Sequence, residues 1–163
     1  MAGIAPKHSV AAAARGQRFA VVAARFNEPI SKKLLDGALA ALADHAVTGD
    51  AVEVHWVPGS FELPQAAMVL ARSGRFAGVV CVGVVIKGAT PHFDYVCSVA
   101  AHGISRVALD TGVPVTFGVI TALTEEQAWE RAGGVVGNRG EEAALAAVEM
   151  AGWLRARRRR GRR

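Results

Sequence analysis

Residues 77–86 run Ala-Gly-Val-Val-Cys-Val-Gly-Val-Val-Ile, without one charged or amide side chain. A run this apolar, and this rich in β-branched residues, predicts a strand buried on both faces, which needs helical layers above and below it. Next in the chain comes Lys87-Gly88-Ala89-Thr90-Pro91-His92-Phe93-Asp94-Tyr95, a glycine turn and then the opening of a helix that carries a histidine. That order gathers backbone N–H groups, a hydroxyl and an imidazole at one helix N-terminus. Such an end has unpaired donors and a positive dipole end, and suits an anion such as phosphate. Histidine is the one side chain there suited to moving protons near neutral pH. The segment points to phosphate and proton chemistry at one place.

The rest of the chain supplies the layers that the central strand demands. Residues 18–24 form a short apolar run, the expected first strand, ended by Arg25-Phe26-Asn27-Glu28-Pro29. A helix is expected over 29–45, with Ile30, Leu34, Leu35, Ala38 and Leu42 on one face. Residues 51–57 alternate as a strand does, Pro58-Gly59-Ser60 breaks them, and 63–72 reads as helix. Further helices are expected over 90–109 and 141–155, and a buried strand over 113–120. Thr124, with Gln127 three residues on, opens a short helix to Arg131. Residues 133–140 read as a loop. Strands alternating with helices predict a layered α/β fold with a parallel sheet and right-handed crossovers. Ligands bind such sheets beyond the carboxyl ends of the strands. Phe26, the Gly59-Ser60-Phe61-Glu62 turn and the Gly88 to His92 segment all fall there, and Phe117 lies near the end of the fourth strand.

At 163 residues a single domain is expected, covering 18–154, with an N-terminal arm over 1–17 and an arginine-rich tail over 155–163. The formal charge is +5, but seven of the 19 basic residues lie in the tail, leaving 12 against 14 acidic residues, a body of about −2. The basic character therefore belongs to the tail. It could hold nucleic acid or an anionic membrane by counterion release, or be a solvated end. No apolar run is long enough to cross a bilayer. The 10–14 stretch lacks the core of an export signal, so a cytoplasmic location is expected. Cys81 and Cys97 are read as free thiols, and no Cys or His pair has metal-ligand spacing, so no metal is expected. Walker A, dinucleotide-binding and nucleophile-elbow patterns are absent.

Each candidate residue has two readings. His92 is a proton carrier or a helix-start residue that merely caps or packs. Thr90 donates to a phosphate or caps the helix. Phe26 and Phe117 sandwich a flat ring or pack in the core. Glu62 holds a hydroxylated chain or answers the helix dipole. Arg131 and Arg139 fork onto phosphate, or the first closes a helix and the second is a loop charge.

Taken together the segments resemble the lumazine synthase family. The match runs from about Arg18 to Leu154 through Ala24-Arg25-Phe26-Asn27, Val57-Pro58-Gly59-Ser60-Phe61-Glu62-Leu63-Pro64 and Gly83 through Tyr95. It continues through Gly112-Val113-Pro114-Val115, Phe117-Gly118-Val119, the segment from Glu126 to Gly133, Gly137-Asn138-Arg139-Gly140 and Ala143-Ala144. The resemblance implies a three-layer, flavodoxin-like sandwich around a four-stranded parallel sheet. It implies a transferase of riboflavin biosynthesis that condenses 5-amino-6-(D-ribitylamino)uracil with 3,4-dihydroxy-2-butanone 4-phosphate, releasing phosphate and water, with no cofactor and no metal.

By position, the resemblance implies that Phe26 stacks on the pyrimidine, that Ser60, Phe61 and Glu62 bind the ribityl chain, and that Val84, Val85 and Ile86 line the pyrimidine pocket. Ala89 and Thr90 would hold the butanone phosphate, and His92 would transfer protons. Phe117 and Arg131 would come from a neighbouring subunit, with Arg139 near the phosphate. Lys87 stands where the family commonly has arginine, and Arg139 where it commonly has lysine. The implied assembly is a homopentamer with sites shared between adjacent subunits. The short 133–140 connection resembles that of members that build 60-subunit icosahedral shells, and riboflavin synthase is an implied associate. Competing readings are a shell-forming container whose arginine tail holds nucleic acid or other anionic cargo, and a flavodoxin-like flavin carrier. The second lacks the Ser/Thr-rich phosphate loop after the first strand.

Overall fold

The computed structural model of the protein describes residues 14–160. Four parallel strands form its centre: β1 (Phe19–Ala24), β2 (Val52–Val57), β3 (Gly78–Ile86) and β4 (Val115–Ala122), in the order β2-β1-β3-β4. Between and after them lie α1 (Glu28–Asp44), α2 (Leu63–Arg72), α3 (His92–Thr111), α4 (Glu125–Glu130) and α5 (Arg139–Arg160). The apolar run of β3 is divided between two cores. Val80, Val82 and Val84 join Phe19, Val21 and Ala23 of β1 against Leu34 and Leu42 of α1 and Ala144 and Val148 of α5. Val79 and Cys81 join Ala20 and Val22 against Leu63 and Leu70 of α2 and Ile104 and Val107 of α3. Successive strand residues point to opposite faces, so a strand covered on both sides must be apolar throughout. The expected three-layer α/β sandwich is the fold observed.

Local signals place the helices. Ile30, Leu34, Leu35, Ala38 and Leu42 are all buried on the inner side of α1. Asn27 precedes that helix with φ 57°, a left-handed conformation that asparagine tolerates better than most residues. At α4 the hydroxyl of Thr124 accepts from the Gln127 N–H at 3.3 Å, and Gln127 Oε1 accepts from the Leu123 N–H at 3.0 Å. This reciprocal cap matches the expected one.

Several boundaries differ from expectation, β4 running over 115–122 where 113–120 was expected. Helix α3 starts at His92, not Thr90, because proline at 91 disfavours the helical conformation at the residue before it. The expected loop at 133–140 holds a two-stranded antiparallel hairpin, β5 (Ala132–Gly134) and β6 (Gly137–Asn138). Gly133 and Gly137 turn it at φ 111° and 105°, and its strands are too short to show an alternating pattern. Helix α5 begins at Arg139 and continues past Arg155 to Arg160, so the expected tail boundary falls inside a helix. Arginine is a good helix former, and cations at a helix C-terminus interact favourably with its dipole. The start of α5 is capped by Asn138, whose Oδ1 accepts from the N–H groups of Gly140 at 2.8 Å and Glu141 at 3.1 Å. Most of the expected arm, residues 1–13, and residues 161–163 lie outside the described residues. Ala14 is buried in the α1–α5 core.

Candidate active site

Beyond the carboxyl ends of β1, β2 and β3 lies a cleft of about 570 Å³. The Arg25 and Phe26 N–H groups donate to the carbonyls of Val57 and Pro58 at 2.9 and 3.0 Å, so the loop after β1 runs beside the turn after β2. This brings Phe26 and Phe61 to one opening, 72% and 54% exposed. Phenylalanine rings left this open on a folded body are available to stack on a flat ligand.

Ser60 sits at the bottom of the same turn. It is only 3% exposed, and its Oγ is buried without a hydrogen-bond partner. A buried, unpaired hydroxyl is rare in a folded chain and marks this turn as a place where a polar partner is missing. The turn can dock this deeply because β3 has glycine at 83, where a Cβ would come within 2.7 Å of Ser60 Oγ. Glu62, two residues on, adds the one acidic side chain that the lining has among the described residues.

The third wall comes from β3 and α3. Val84, Val85 and Ile86 line the cleft, followed by Gly88, Thr90 and His92. Thr90 is exposed and does not occupy the cap position, which belongs to Pro91. Of its two sequence readings, the capping one is removed. Ala89 is exposed between two lining residues. A Cβ at Gly88 would meet nothing within 4 Å, so the chain's own packing leaves the backbone there open to a ligand. His92, exposed on the cleft as the first residue of α3, does not serve as core packing.

Nine expected site residues therefore meet in one hollow: Phe26, Ser60, Phe61, Glu62, Val84, Val85, Ile86, Thr90 and His92. Asn27, Phe93 and Val96 also line it and were not among the sequence candidates. Phe93 and Val96, three apart at the start of a helix whose first residue is His92, carried a readable helical-spacing signal.

Phe117, Arg131 and Arg139 do not line the cleft. Phe117 is on the edge strand β4, in register with Cys81 and 42% exposed. The two arginines adjoin one another, since the Arg139 N–H donates to the Arg131 carbonyl at 2.9 Å. Arg131 Nη1 donates to the Gln127 carbonyl at 2.9 Å, with Glu130 at 3.5 Å. Arg139 forms a tight ion pair with Glu142.

Nucleophilic cysteine chemistry is not supported. Burial pushes the Cys81 thiol up to about 12, and partial burial with the nearby Asp94 carboxylate raises that of Cys97.

The arrangement offers an aromatic platform, a buried hydroxyl, a carboxylate, a strand-end backbone and an imidazole beside an open glycine turn. It can stack a flat ring, meet a polar group on its walls and move protons within the hollow. A family model described as 6,7-dimethyl-8-ribityllumazine synthase matches residues 16–155, which span the cleft, Phe117 and both arginines. The chain belongs to the 6,7-dimethyl-8-ribityllumazine synthase family, whose members condense 5-amino-6-(D-ribitylamino)uracil with 3,4-dihydroxy-2-butanone 4-phosphate in riboflavin biosynthesis.

Proposed function

We propose that this enzyme works only as an assembly, with each catalytic chamber formed by the cleft of one copy and the Phe117–Arg131–Arg139 side of the next. One observation carries the reading. The cleft must receive a phosphate and release it, yet among the described residues its lining contains no lysine or arginine. Arg131 and Arg139 lie together elsewhere on the chain, at the start of the hairpin and of α5. Phosphate departure without a cation would leave its developing charge unanswered. An interface that joins one face of a copy to a different face of the next is heterologous, and it closes into a ring when the rotation allows. The homopentamer implied by the family resemblance is such a ring. The short hairpin of residues 132–138 supports the further assembly of pentamers into a 60-subunit shell. We also place the enzyme in the cytoplasm, where its two free cysteines suit a reducing compartment. No helix among the described residues is long and apolar enough to cross a membrane. Association with riboflavin synthase, which would take the product onward, belongs to this reading through the resemblance alone.

In this chamber the pyrimidine stacks on Phe26, and Phe117 of the neighbour approaches its other side. The strand-end backbone at Val84, Val85 and Ile86 meets the polar edge of the ring. Ser60 and Glu62 hydrogen-bond the ribityl hydroxyls. The butanone phosphate rests on the Ala89–Thr90 turn at the N-terminus of α3. The amine attacks the ketone, and loss of water gives an imine. Proton removal from the four-carbon unit then lets the C–O bond to phosphate break, and His92 carries the protons of both steps. Arg131 and the helix end neutralise the departing phosphate. The ribityl-bearing nitrogen closes the ring with loss of water. Both substrates are reactive by themselves, so holding them together supplies much of the acceleration. Arg139 is the weaker phosphate ligand, because it must first exchange its Glu142 partner.

The assembly is expected to appear in multi-angle light scattering as a 60-subunit particle, with the pentamer as its building block. A pentamer alone would remove the shell, and an active monomer would remove the shared chamber.

A further inference from the structure

Seven of the last nine residues are arginine, and nothing in the condensation uses them. The structure carries the first of them on a continuous helix, since α5 runs to Arg160. Arg155 and Arg158, three positions apart, line a hollow of about 660 Å³. It lies at the opposite end of the sheet from the catalytic cleft. Its walls include Gln17, Phe76 and Pro114, which come just before β1, β3 and β4, and Leu154.

Two details give this end a chemistry beyond charge. The Arg157 guanidinium lies 3.6 Å above the centre of the Trp153 ring, and that indole is 48% exposed. Gln17 Oε1 is buried without a hydrogen-bond partner. A guanidinium stacked on an indole presents its own outer face as a flat cationic platform of the kind on which a nucleic-acid base stacks. The hollow beside it has room for a base. Guanidinium forks at its rim match the adjoining phosphates.

We propose that the C-terminal end of α5 and the hollow beside it bind single-stranded nucleic acid, the other arginines taking phosphates while the Arg157–Trp153 stack and the hollow take bases. A duplex keeps its bases stacked and could reach neither platform nor hollow. A membrane is disfavoured because residues 155–160 include one apolar side chain, Ala156, and so present no apolar face for insertion. The remaining body carries a net charge of about −2, so the attraction is focused on this end. Binding here does not depend on how the catalytic chamber is shared.

Fluorescence anisotropy with a labelled single-stranded RNA of about 20 nucleotides, longer than common single-strand sites, tests it. If five to seven phosphates are neutralised, log K should fall with log salt at a slope of about −3 to −5. The triple variant R155Q/R157Q/R158Q keeps good helix formers, so circular dichroism should be unchanged while affinity falls at least about 30-fold at low salt. Trp153→Ala should weaken binding about fivefold or more with the same salt slope, and lumazine formation should persist in every variant. Equal RNA affinity of the triple variant and its parent would overturn the proposal. So would loss of phosphatidylserine-vesicle binding in parallel with RNA binding, which would mark a general anion surface.

Discussion

His92→Ala is expected to lower kcat by about 10²–10⁴-fold, the usual worth of a positioned general acid–base. KM for either substrate should change much less. The side chain is exposed at the first position of α3 and lines the cleft, so its loss opens no cavity in either core. Surface substitutions of this kind usually alter stability by no more than about 0.5 kcal/mol, so thermal unfolding should be nearly unchanged. Turnover should not vanish, because the variant still holds two reactive partners side by side. His92→Gln tests the role differently: it keeps hydrogen bonding without proton exchange near neutral pH, and should be nearly as slow as alanine. An unchanged kcat in either variant would remove His92 from the proton steps.

The largest stability effect is expected far from the cleft, at Gly140→Ala. Gly140 is buried in the first turn of α5, where that helix crosses α1. A Cβ there would fall on the Leu34 carbonyl oxygen and within 2.7 Å of the Leu34 carbonyl carbon. That backbone lies inside α1 and cannot rotate away as a side chain would, so α5 has to shift bodily. Overpacking of this kind costs about 1–3 kcal/mol and sometimes more. For a domain of this size, about 3 kcal/mol corresponds to a loss of roughly 6–12 °C in Tm. The shift would also disturb Asn138, which caps α5 and donates from Nδ2 to the Lys33 carbonyl at 2.9 Å. Arg139 would move with it. Gly88→Ala is the control, since a Cβ there meets nothing within 4 Å and Tm should hold. Differential scanning calorimetry on the two variants decides the matter; equal melting temperatures would contradict the packing described for Gly140.

Gly140 sits at a contact that nothing in the local sequence announces. The burial of β3 was legible because a strand covered on both faces has no position left for a polar residue. The inner stripe of α1 and the Thr124 cap were legible because their partners are within a few residues. The place of the turn after β3, on the wall of the cleft, was legible because strand, glycine and helix start are contiguous. The α1–α5 crossing was not, because Asn138 and Lys33 are 105 residues apart and nothing local marks their contact. The hairpin was hidden by its length. The continuation of α5 was hidden because an arginine run describes a helix end and a loose chain equally well. Within the site, the residues on β1, β2 and β3 converge as their strand-end positions imply. Placing Arg131 and Arg139 required the three-dimensional fold, which puts them together and outside the lining of that cleft.

The shared chamber can be tested by mixing two crippled proteins. His92→Ala should fail in turnover, and Arg131→Ala should bind the phosphorylated substrate weakly while keeping its affinity for the aminouracil. Co-assembled in equal amounts and assayed by lumazine fluorescence at low butanone phosphate, they should regain about a quarter of the parent activity, the share of random ring interfaces that pair an intact His92 with an intact Arg131. If each site lay within one chain, no mixture would rebuild it. Activity of the mixed particles no higher than the average of the two variants assembled separately would contradict the account.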